Sequence, residues 1–184
     1  MATPLETLIR ARRSIRRFLP DPVDREKIRI CLDAARLAPS AQNAQPWRFF
    51  VVDDPELKAA LARAAFSGIY AVTKFAAGAP VIIVVLARPG MVAHRIGRHV
   101  QGTQFYMVDI GIAGEHFVLR AEEMGLSTCW IGWFNVRRAR KLLRIPRGHK
   151  VVALLPLGYA ASRPPSETKR KGLDEISWFN KFGG

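Results

Sequence analysis

Six consecutive apolar residues, Val81 to Leu86 (VIIVVL), constrain the fold of this chain more than any other segment. They follow Pro80 directly, and their β-branched side chains favour a strand. A strand with one face in water alternates apolar and polar residues, whereas this run has no polar position at all. We therefore expect a strand that other parts of the chain cover on both faces.

Three more strands and five helices are predicted along the chain. The strands are residues 47–52 (WRFFVV), 127–133 (STCWIGW) and 151–157 (VVALLPL), where Pro156 indicates an edge strand or a bulge. Helices are predicted around Leu5 to Ile9, from Asp24 to about Leu37, after Asp54, over about residues 101–125, and after Asn135, with Asp24, Asp54 and Asn135 preceding their helices as caps. Residues 161–184 have weak periodicity and are predicted to form an extended tail.

The long helix over residues 101–125 is apolar on nearly all sides, from Phe105 to Met124. A helix of this kind is buried in a core or in a subunit interface. Asp109 and Glu115 lie within it, and both carboxylates need partners if they are buried.

Length and residue usage exclude several classes of protein. At 184 residues the chain has the length of one domain, and its longest uncharged apolar stretch, 13 residues from Phe75 to Ala87, is too short to span a bilayer. The first residues lack the apolar core and cleavage site of a secretory signal. Two cysteines form no disulfide framework, and His94 and His99 do not share a helical face, so no zinc site is expected. These features favour a cytoplasmic, single-domain protein over residues 1–184.

The net charge of +14 attracts phosphate-bearing ligands, anionic membranes or nucleic acids without choosing among them. Residues 57–108 and 124–166 contain no acidic residue. The densest basic run extends from Arg137 to Lys150 on a predicted helix and is typical of a solvated face. A nucleic-acid-binding face is the alternative, although the run lacks interleaved aromatic residues for base stacking.

Three segments carry residues suited to ligand binding. RRSIRRF (12–18) groups guanidinium groups around a hydroxyl, as a phosphate site requires, and otherwise forms a basic surface strip. APSAQNAQPW (38–47) offers amides that can pair with the edge of a heterocycle, or it is an ordinary polar loop. CWIGW (129–133) places Gly132, which permits close backbone approach, between Trp130 and Trp133, which could wall an aromatic pocket or simply fill the core.

The order and spacing of these segments resemble the nitroreductase family of FMN-dependent flavoproteins. The resemblance extends over nearly the whole chain and is carried by RRSIR (12–16), APSAQNAQPW (38–47), AP (79–80), AEEMGL (121–126), TCWIG (128–132), LPLGY (155–159), KRK (169–171) and LDEI (173–176). It implies an α+β three-layer sandwich, with a mixed, mostly antiparallel sheet between helices. It also implies a homodimer with two FMN sites at the subunit interface and a C-terminal tail that wraps the partner.

The resemblance also implies roles for individual residues. It places the FMN phosphate on the first basic run and on the tail, and Arg13 at the polar edge of the flavin. The turn at 39–45 would reach the flavin of the other subunit, and backbone N–H groups near Gly132 would face flavin N5. The residues implied in cofactor binding are Arg12, Arg13, Ser14, Arg16, Pro39, Ser40, Asn43, Gln45, Ile131, Gly132, Lys169 and Arg170, with Trp130 and Trp133 in the substrate pocket.

The activity implied by the resemblance is hydride transfer from NAD(P)H through FMN to an electron-poor acceptor such as a nitroaromatic or a quinone. No side chain is expected to act as a catalytic acid or base, since the cofactor carries the chemistry. Larger members carry an acidic residue at the position of Gly132. The polar residue that members often carry before the second strand has no clear counterpart in FSGIYAVTKF (66–75), where Lys74 is the candidate; both differences bear on substrate choice. A flavin-handling protein with little turnover and a basic nucleic-acid-binding protein are the alternatives.

Overall fold

A computed structural model describes residues 3–89, 103–164 and 168–183. The helices are α1 (Pro4–Ala11), α2 (Arg25–Arg36), α3 (Pro55–Ala65), α4 (Phe105–Glu123) and α5 (Val136–Leu142). The strands are β1 (Trp47–Val52), β2 (Val81–Ala87), β3 (Ser127–Thr128) and β4 (Lys150–Gly158). Short 3₁₀ segments cover Ala41–Asn43, Gly68–Gly78 and Leu173–Glu175.

The four strands form one antiparallel sheet in the order β1-β2-β4-β3. The parallel contact among the described residues is confined to an isolated bridge between Ser14 and Thr128. The expected sheet is thus confirmed as mostly antiparallel, and its parallel component does not involve a complete strand.

Strand β2 lies at the centre of three layers, and every one of its residues is buried. Ile83 and Val85 face one core together with residues of α2 and α4. Ile82 and Val84 face a second core together with residues of α3 and α5. The alternation of side chains along a strand therefore explains why this run has no polar position, and the α+β sandwich is confirmed.

Helix starts follow the capping residues identified in the sequence. Asp24 Oδ1 accepts a hydrogen bond from the Glu26 N–H at 2.9 Å, and Asp54 Oδ1 accepts one from Leu57 N–H at 2.7 Å. The Asn135 side chain likewise accepts from the N–H of Arg138 at 3.0 Å. Each cap satisfies an N–H that has no partner within its own helix.

The strand expected over residues 127–133 is wrong in its extent. Only Ser127 and Thr128 pair with β4; the chain then turns away and touches β4 again at Ile131, which exchanges two 2.9 Å hydrogen bonds with Leu154. Pro156 lies in the gap between these two contacts, on a strand with neighbours on both sides, so the edge-strand interpretation is also wrong. A proline has no N–H to donate, and this gap spares it a ladder hydrogen bond.

The long helix α4 has two faces of different character. Ala113, Phe117 and Ala121 are buried against the first core, whereas Phe105, Met107 and Val108 are 40–52% exposed. The start expected at residue 101 lies outside the described residues. In the part of the chain that is described, no helix is long and apolar enough to cross a membrane.

Candidate functional site

The basic segment 12–16 is fixed beside strand β3. Ser14 bridges to Thr128, and the Ile15 N–H donates to the Thr128 carbonyl at 2.9 Å. Ile15 is buried while Ser14 and Arg16 are exposed, since neighbouring side chains of an extended chain point in opposite directions. The bridge therefore holds the polar side chains of the segment next to residues 129–132.

The electrostatic surroundings of Cys129 show which groups of the segment come together. Burial raises the pKa of this thiol, and the charge of Arg16, a hydrogen bond with Ser14 and the charge of Arg12 oppose that effect. Three side chains expected at a phosphate therefore lie near enough to Cys129 to influence its thiol.

The arginines of this segment differ in their own partners. Arg12 Nε lies 3.5 Å from Glu115 Oε1 on α4, so this carboxylate has the partner that the sequence required. The Arg16 guanidinium lies 5.8 Å from the centre of the Phe75 ring, and no carboxylate pairs with it among the described residues. Arg13 donates to the Arg10 carbonyl at the end of α1 and to the Arg12 carbonyl at 2.9 Å. Arg16 therefore has the freest charge, and Arg13 is occupied by backbone acceptors.

The turn at residues 39–45 has an unusual backbone. Gln42, Asn43 and Gln45 have φ values of 54°, 52° and 44°, in the left-handed region that residues with a Cβ seldom adopt. The Ser40 hydroxyl accepts from the Gln45 N–H at 2.9 Å, and the Asn43 side chain accepts from the Gln45 amide at 3.0 Å. Pro39, Asn43 and Gln45 are exposed, so their outer surfaces are accessible to a ligand.

Helix α4 holds this turn through Asp109. The carboxylate is 4% exposed, and its Oδ1 accepts from the Ala41 N–H at 3.0 Å. Asp109 and Glu115 are six residues apart, so the two motifs attach to α4 about 9 Å apart and on different sides. Among the described residues no hydrogen bond or ion pair joins the turn to the basic segment.

The CWIGW segment places its residues in different surroundings. Ile131 is buried and its N–H donates to Leu154, so this N–H is committed to the sheet. Gly132 is exposed, and a Cβ built on it would meet no atom within 4 Å. The N–H of Gly132 pairs with no acceptor in the described ranges, as is also true of the backbone N–H groups of Trp130 and Trp133, so it is available as a donor.

The two tryptophans lie on different elements. The Trp130 ring packs directly over Gly114 of α4, where a Cβ would come within 2.2 Å of the ring. The Trp133 Nε1–H donates to the Ile69 carbonyl at 3.0 Å, and its ring centre lies 5.3 Å from that of Tyr70. Trp130 is thus placed by α4 and Trp133 by the 3₁₀ segment Gly68–Gly78.

Sequence reasoning missed two features of the site. The segment Gly68–Gly78 contacts both Trp133 and, through Phe75, Arg16, yet its sequence has neither helical nor strand periodicity. Gly114 makes room for Trp130, and a glycine inside a long helix was the available signal of a close approach.

The tail and the second basic region stay apart from these motifs. Lys169 and Arg170 are exposed and make no contact with residues 12–16 within the described chain. The tail begins near the first motif, because Arg163 donates to Glu122 at 2.6 Å and to the Ala11 carbonyl at 3.5 Å. On α5 and the following turn, the exposed basic residues are Arg137, Arg138, Lys141, Arg144 and Arg147, and none has an ion pair among the residues described.

A metal centre has no set of ligands in the described part of the chain. No three His, Cys, Asp or Glu side chains come close enough there to hold an ion. His94 and His99 lie outside the described residues.

Comparison with known proteins identifies the family. The model of the nitroreductase family matches residues 9–71 and 70–159. An NADH dehydrogenase of Thermus thermophilus is 34% identical over 176 residues, which cover 82% of this chain and 83% of that protein. The crystal structure of a nitroreductase family protein from Clostridium novyi NT has a TM-score of 0.76 and 34% identity, covering 98% of this chain and 96% of that one. An FMN-dependent nitroreductase from Clostridium difficile R20291 has a TM-score of 0.75 and 27% identity, with 95% and 98% covered. Since the match runs through most of the chain and the fold agrees, the chain belongs to the nitroreductase family.

Proposed function

We propose that this protein is a cytoplasmic, FMN-dependent oxidoreductase that acts as a homodimer of one-domain subunits. Bound FMN would supply the redox chemistry, taking a hydride at N5 from NAD(P)H and giving it to an electron-poor acceptor such as a nitroaromatic or a quinone. The names of relatives support both the cofactor and the class of reaction, since they include an NADH dehydrogenase and an FMN-dependent nitroreductase.

One observation carries the proposal: the bridge between Ser14 and Thr128 holds the basic segment 12–16 beside the residues that lead to the open position at Gly132. Two guanidinium groups and a hydroxyl match the charge and acceptor oxygens of a phosphate ester. The unpaired Gly132 N–H can donate to a ring nitrogen, and the absence of a side chain there lets a flat ring approach. The residues present therefore fit FMN.

The remaining residues have supporting roles in the proposed site. Lys169 and Arg170 would add positive charge to the phosphate from the exchanged tail, and Arg13 would lie at the polar edge of the flavin. Trp130 and Trp133 would border the acceptor, each held by a different element. Pro39, Ser40, Asn43 and Gln45 would reach the flavin of the other subunit.

Two features support a shared site in a dimer. The turn and the basic segment attach to different sides of α4, and no hydrogen bond or ion pair joins them within the described residues. Next to the turn, α4 exposes Phe105, Met107 and Val108, an apolar face of the kind that a second subunit covers.

The visible spectrum of freshly purified protein tests the proposal directly. We expect flavin absorption bands, FMN as the released cofactor, and oxidation of NADH or NADPH when a quinone or nitroaromatic acceptor is added. Yellow protein that oxidises neither nucleotide with any acceptor would instead identify a flavin-handling protein. Colourless protein that does not take up added FMN would overturn the proposal.

A further inference from the structure

We propose that Asp109 is a positioning residue that holds the turn at residues 40–45 in its flavin-binding conformation. The inference rests on the proposed function, because it assigns a purpose to that turn. It concerns a buried side chain on α4 that is not one of the residues expected to touch the cofactor.

Asp109 is a buried carboxylate with few hydrogen-bond donors around it. The side chain is 4% exposed, Oδ1 accepts the Ala41 N–H at 3.0 Å, and Oδ2 has no partner among the described residues. Burying a carboxylate with so few donors costs free energy that an apolar residue at the same helical position would not cost. The neighbours of Asp109 on the buried face, Ile110 and Ala113, are apolar as the packing requires.

The turn that Asp109 holds needs an external restraint. Three of its residues, Gln42, Asn43 and Gln45, have positive φ, which residues with a Cβ adopt at a cost when the surroundings enforce it. The side-chain hydrogen bonds of Ser40, Asn43 and Gln45 are local, joining residues at most five apart. Arg48 of the adjoining strand β1 donates to the Gln45 carbonyl at 3.0 Å, at the end of the turn. The bond from Ala41 to Asp109 spans 68 residues and ties the start of the turn to a distant element, α4.

The part of α4 that carries Asp109 also exposes residues to the proposed dimer partner. Val108 precedes Asp109 and is 52% exposed, and Phe105, one turn earlier, is 40% exposed. Asp109 therefore links the surface proposed to contact the second subunit to the turn proposed to enter that subunit's flavin site. A shift of the turn would move Ser40 and Asn43 while leaving the basic phosphate segment in place.

Three variants separate positioning from general stability. Asp109→Ala removes the acceptor; Asp109→Asn keeps an acceptor oxygen for the Ala41 N–H; Ala41→Pro removes the donor without altering the core. Ala41 is the first residue of its 3₁₀ segment and follows Ser40 at φ −146° and ψ 154°, a position and a preceding conformation that proline tolerates. Glu123→Ala, at the exposed end of α4, is the matched control.

The measurements are FMN affinity of the apo-protein by quenching of flavin fluorescence, dimerisation by light scattering, and the melting temperature without FMN. Asp109→Ala and Ala41→Pro should remain dimers and bind FMN roughly 5- to 100-fold more weakly, with Asp109→Asn and Glu123→Ala close to wild type. If Asp109→Ala does not fold, Ala41→Pro and Asp109→Asn still decide the outcome.

Two failures are distinguishable. Wild-type protein that binds no FMN would overturn the proposed function, and this inference with it. Wild-type protein that binds FMN, together with an Ala41→Pro dimer of equal FMN affinity, would overturn the positioning role alone. A fall in melting temperature without a change in FMN affinity would likewise show a purely structural carboxylate.

Discussion

Arg12 and Arg16 belong to the same basic segment, but their guanidinium groups have different neighbours. Arg12 pairs with Glu115 at 3.5 Å, whereas Arg16 lies over Phe75 and has no acidic partner in the described residues. A hydrogen bond to a charged group contributes roughly 1.5–3 kcal/mol, so Arg12→Ala and Arg16→Ala should each weaken FMN binding by about 10- to 100-fold. Equilibrium titration of apo-protein with FMN measures the effect.

Arg17 is the matched control for this prediction. It is exposed and adjacent to Arg16, and its carbonyl, not its side chain, pairs with the Ala161 N–H. Arg17→Ala should leave FMN affinity within about twofold of wild type. Equal losses at Arg16 and Arg17 would point to a general charge effect in place of a phosphate contact.

A substitution at Gly132 should affect FMN binding without affecting folding. A Cβ at this position meets nothing within 4 Å, so Gly132→Val should fold with a melting temperature close to wild type. The added methyl groups would occupy the space that the flavin ring needs, and FMN occupancy after purification should fall sharply. A Gly132→Val protein that is as yellow as wild type would contradict the placement of the ring.

Cys31 gives a prediction for stability at alkaline pH. The thiol is fully buried, and burial raises its pKa from 9.0 to about 11 against the opposing charge of Arg120. Because the folded state holds the proton more tightly, this stabilisation is complete below about pH 9 and is lost as the pH rises towards 11. The group should remove about 2–3 kcal/mol of unfolding free energy over that range. Urea unfolding of wild type and Cys31→Ala at several pH values tests this, and equal declines would refute it.

Among the secondary-structure elements, α4 organises the candidate site because its different faces contact the core, Trp130, the turn at residues 40–45 and solvent. One face carries Ala113 and Phe117 into the core, Gly114 makes room for Trp130, and Asp109 accepts a hydrogen bond from the turn at residues 40–45. The remaining face leaves Val108 and Phe105 in water. This division explains why the sequence of the helix is apolar on nearly all sides although the chain covers only part of it.

The exposed face of α4 predicts how the dimer can be disrupted. Val108→Lys adds a charge where an apolar contact is proposed, so the protein should become a monomer with less bound FMN. Val136→Lys, at the partly exposed start of α5 in the opposite layer, should remain dimeric and yellow. Light scattering and the visible spectrum report both properties, and a Val108→Lys dimer would move the interface elsewhere.

Local signals allowed most elements to be predicted. Asp24, Asp54 and Asn135 marked helix starts because a cap acts on N–H groups two or three residues away. The strand expected to end at Trp133 was overestimated because its course depends on distant partners: Leu154 holds Ile131, and Gly114 receives Trp130.

The candidate site was predictable to a different degree. Arg12, Ser14 and Arg16 could be proposed from the sequence because their chemistry lies in their side chains, and the structure holds their segment beside β3. Their contact with FMN stays a prediction. The hold of Asp109 on the turn could not be proposed in this way, since its partner is the backbone N–H of Ala41, which any residue except proline provides. The sequence indicated only that this carboxylate needed a partner.

At the scale of the whole molecule, the charge of +14 divides into regions with different surroundings. Arg12 and Arg16 lie at the proposed phosphate site, whereas the α5 strip, Arg137 to Arg147, lies in the layer opposite α4 and α2. Arg138 donates to the Ser67 hydroxyl and Arg140 to the Pro146 carbonyl, and neither has a carboxylate partner in the described chain. The strip is therefore an exposed basic surface whose charges are not balanced by carboxylates in the described chain, and we expect it to attract polyanions.

Binding of DNA by the α5 strip should depend on the salt concentration. We expect the protein to retard duplex DNA at low ionic strength and to release it near physiological salt, with log K falling by roughly 0.9 per phosphate contacted. Arg137→Ala combined with Arg144→Ala should reduce that slope by about two and leave FMN affinity unchanged, because neither residue belongs to the proposed phosphate segment and neither charge acts on Cys129. Electrophoretic mobility shifts at a series of salt concentrations, with FMN titrations beside them, measure both. DNA binding that persists at physiological salt in colourless protein would favour a nucleic-acid function. Loss of DNA binding at that salt with retained FMN would instead assign Arg12 and Arg16 to the cofactor and leave the α5 strip as a non-specific basic surface.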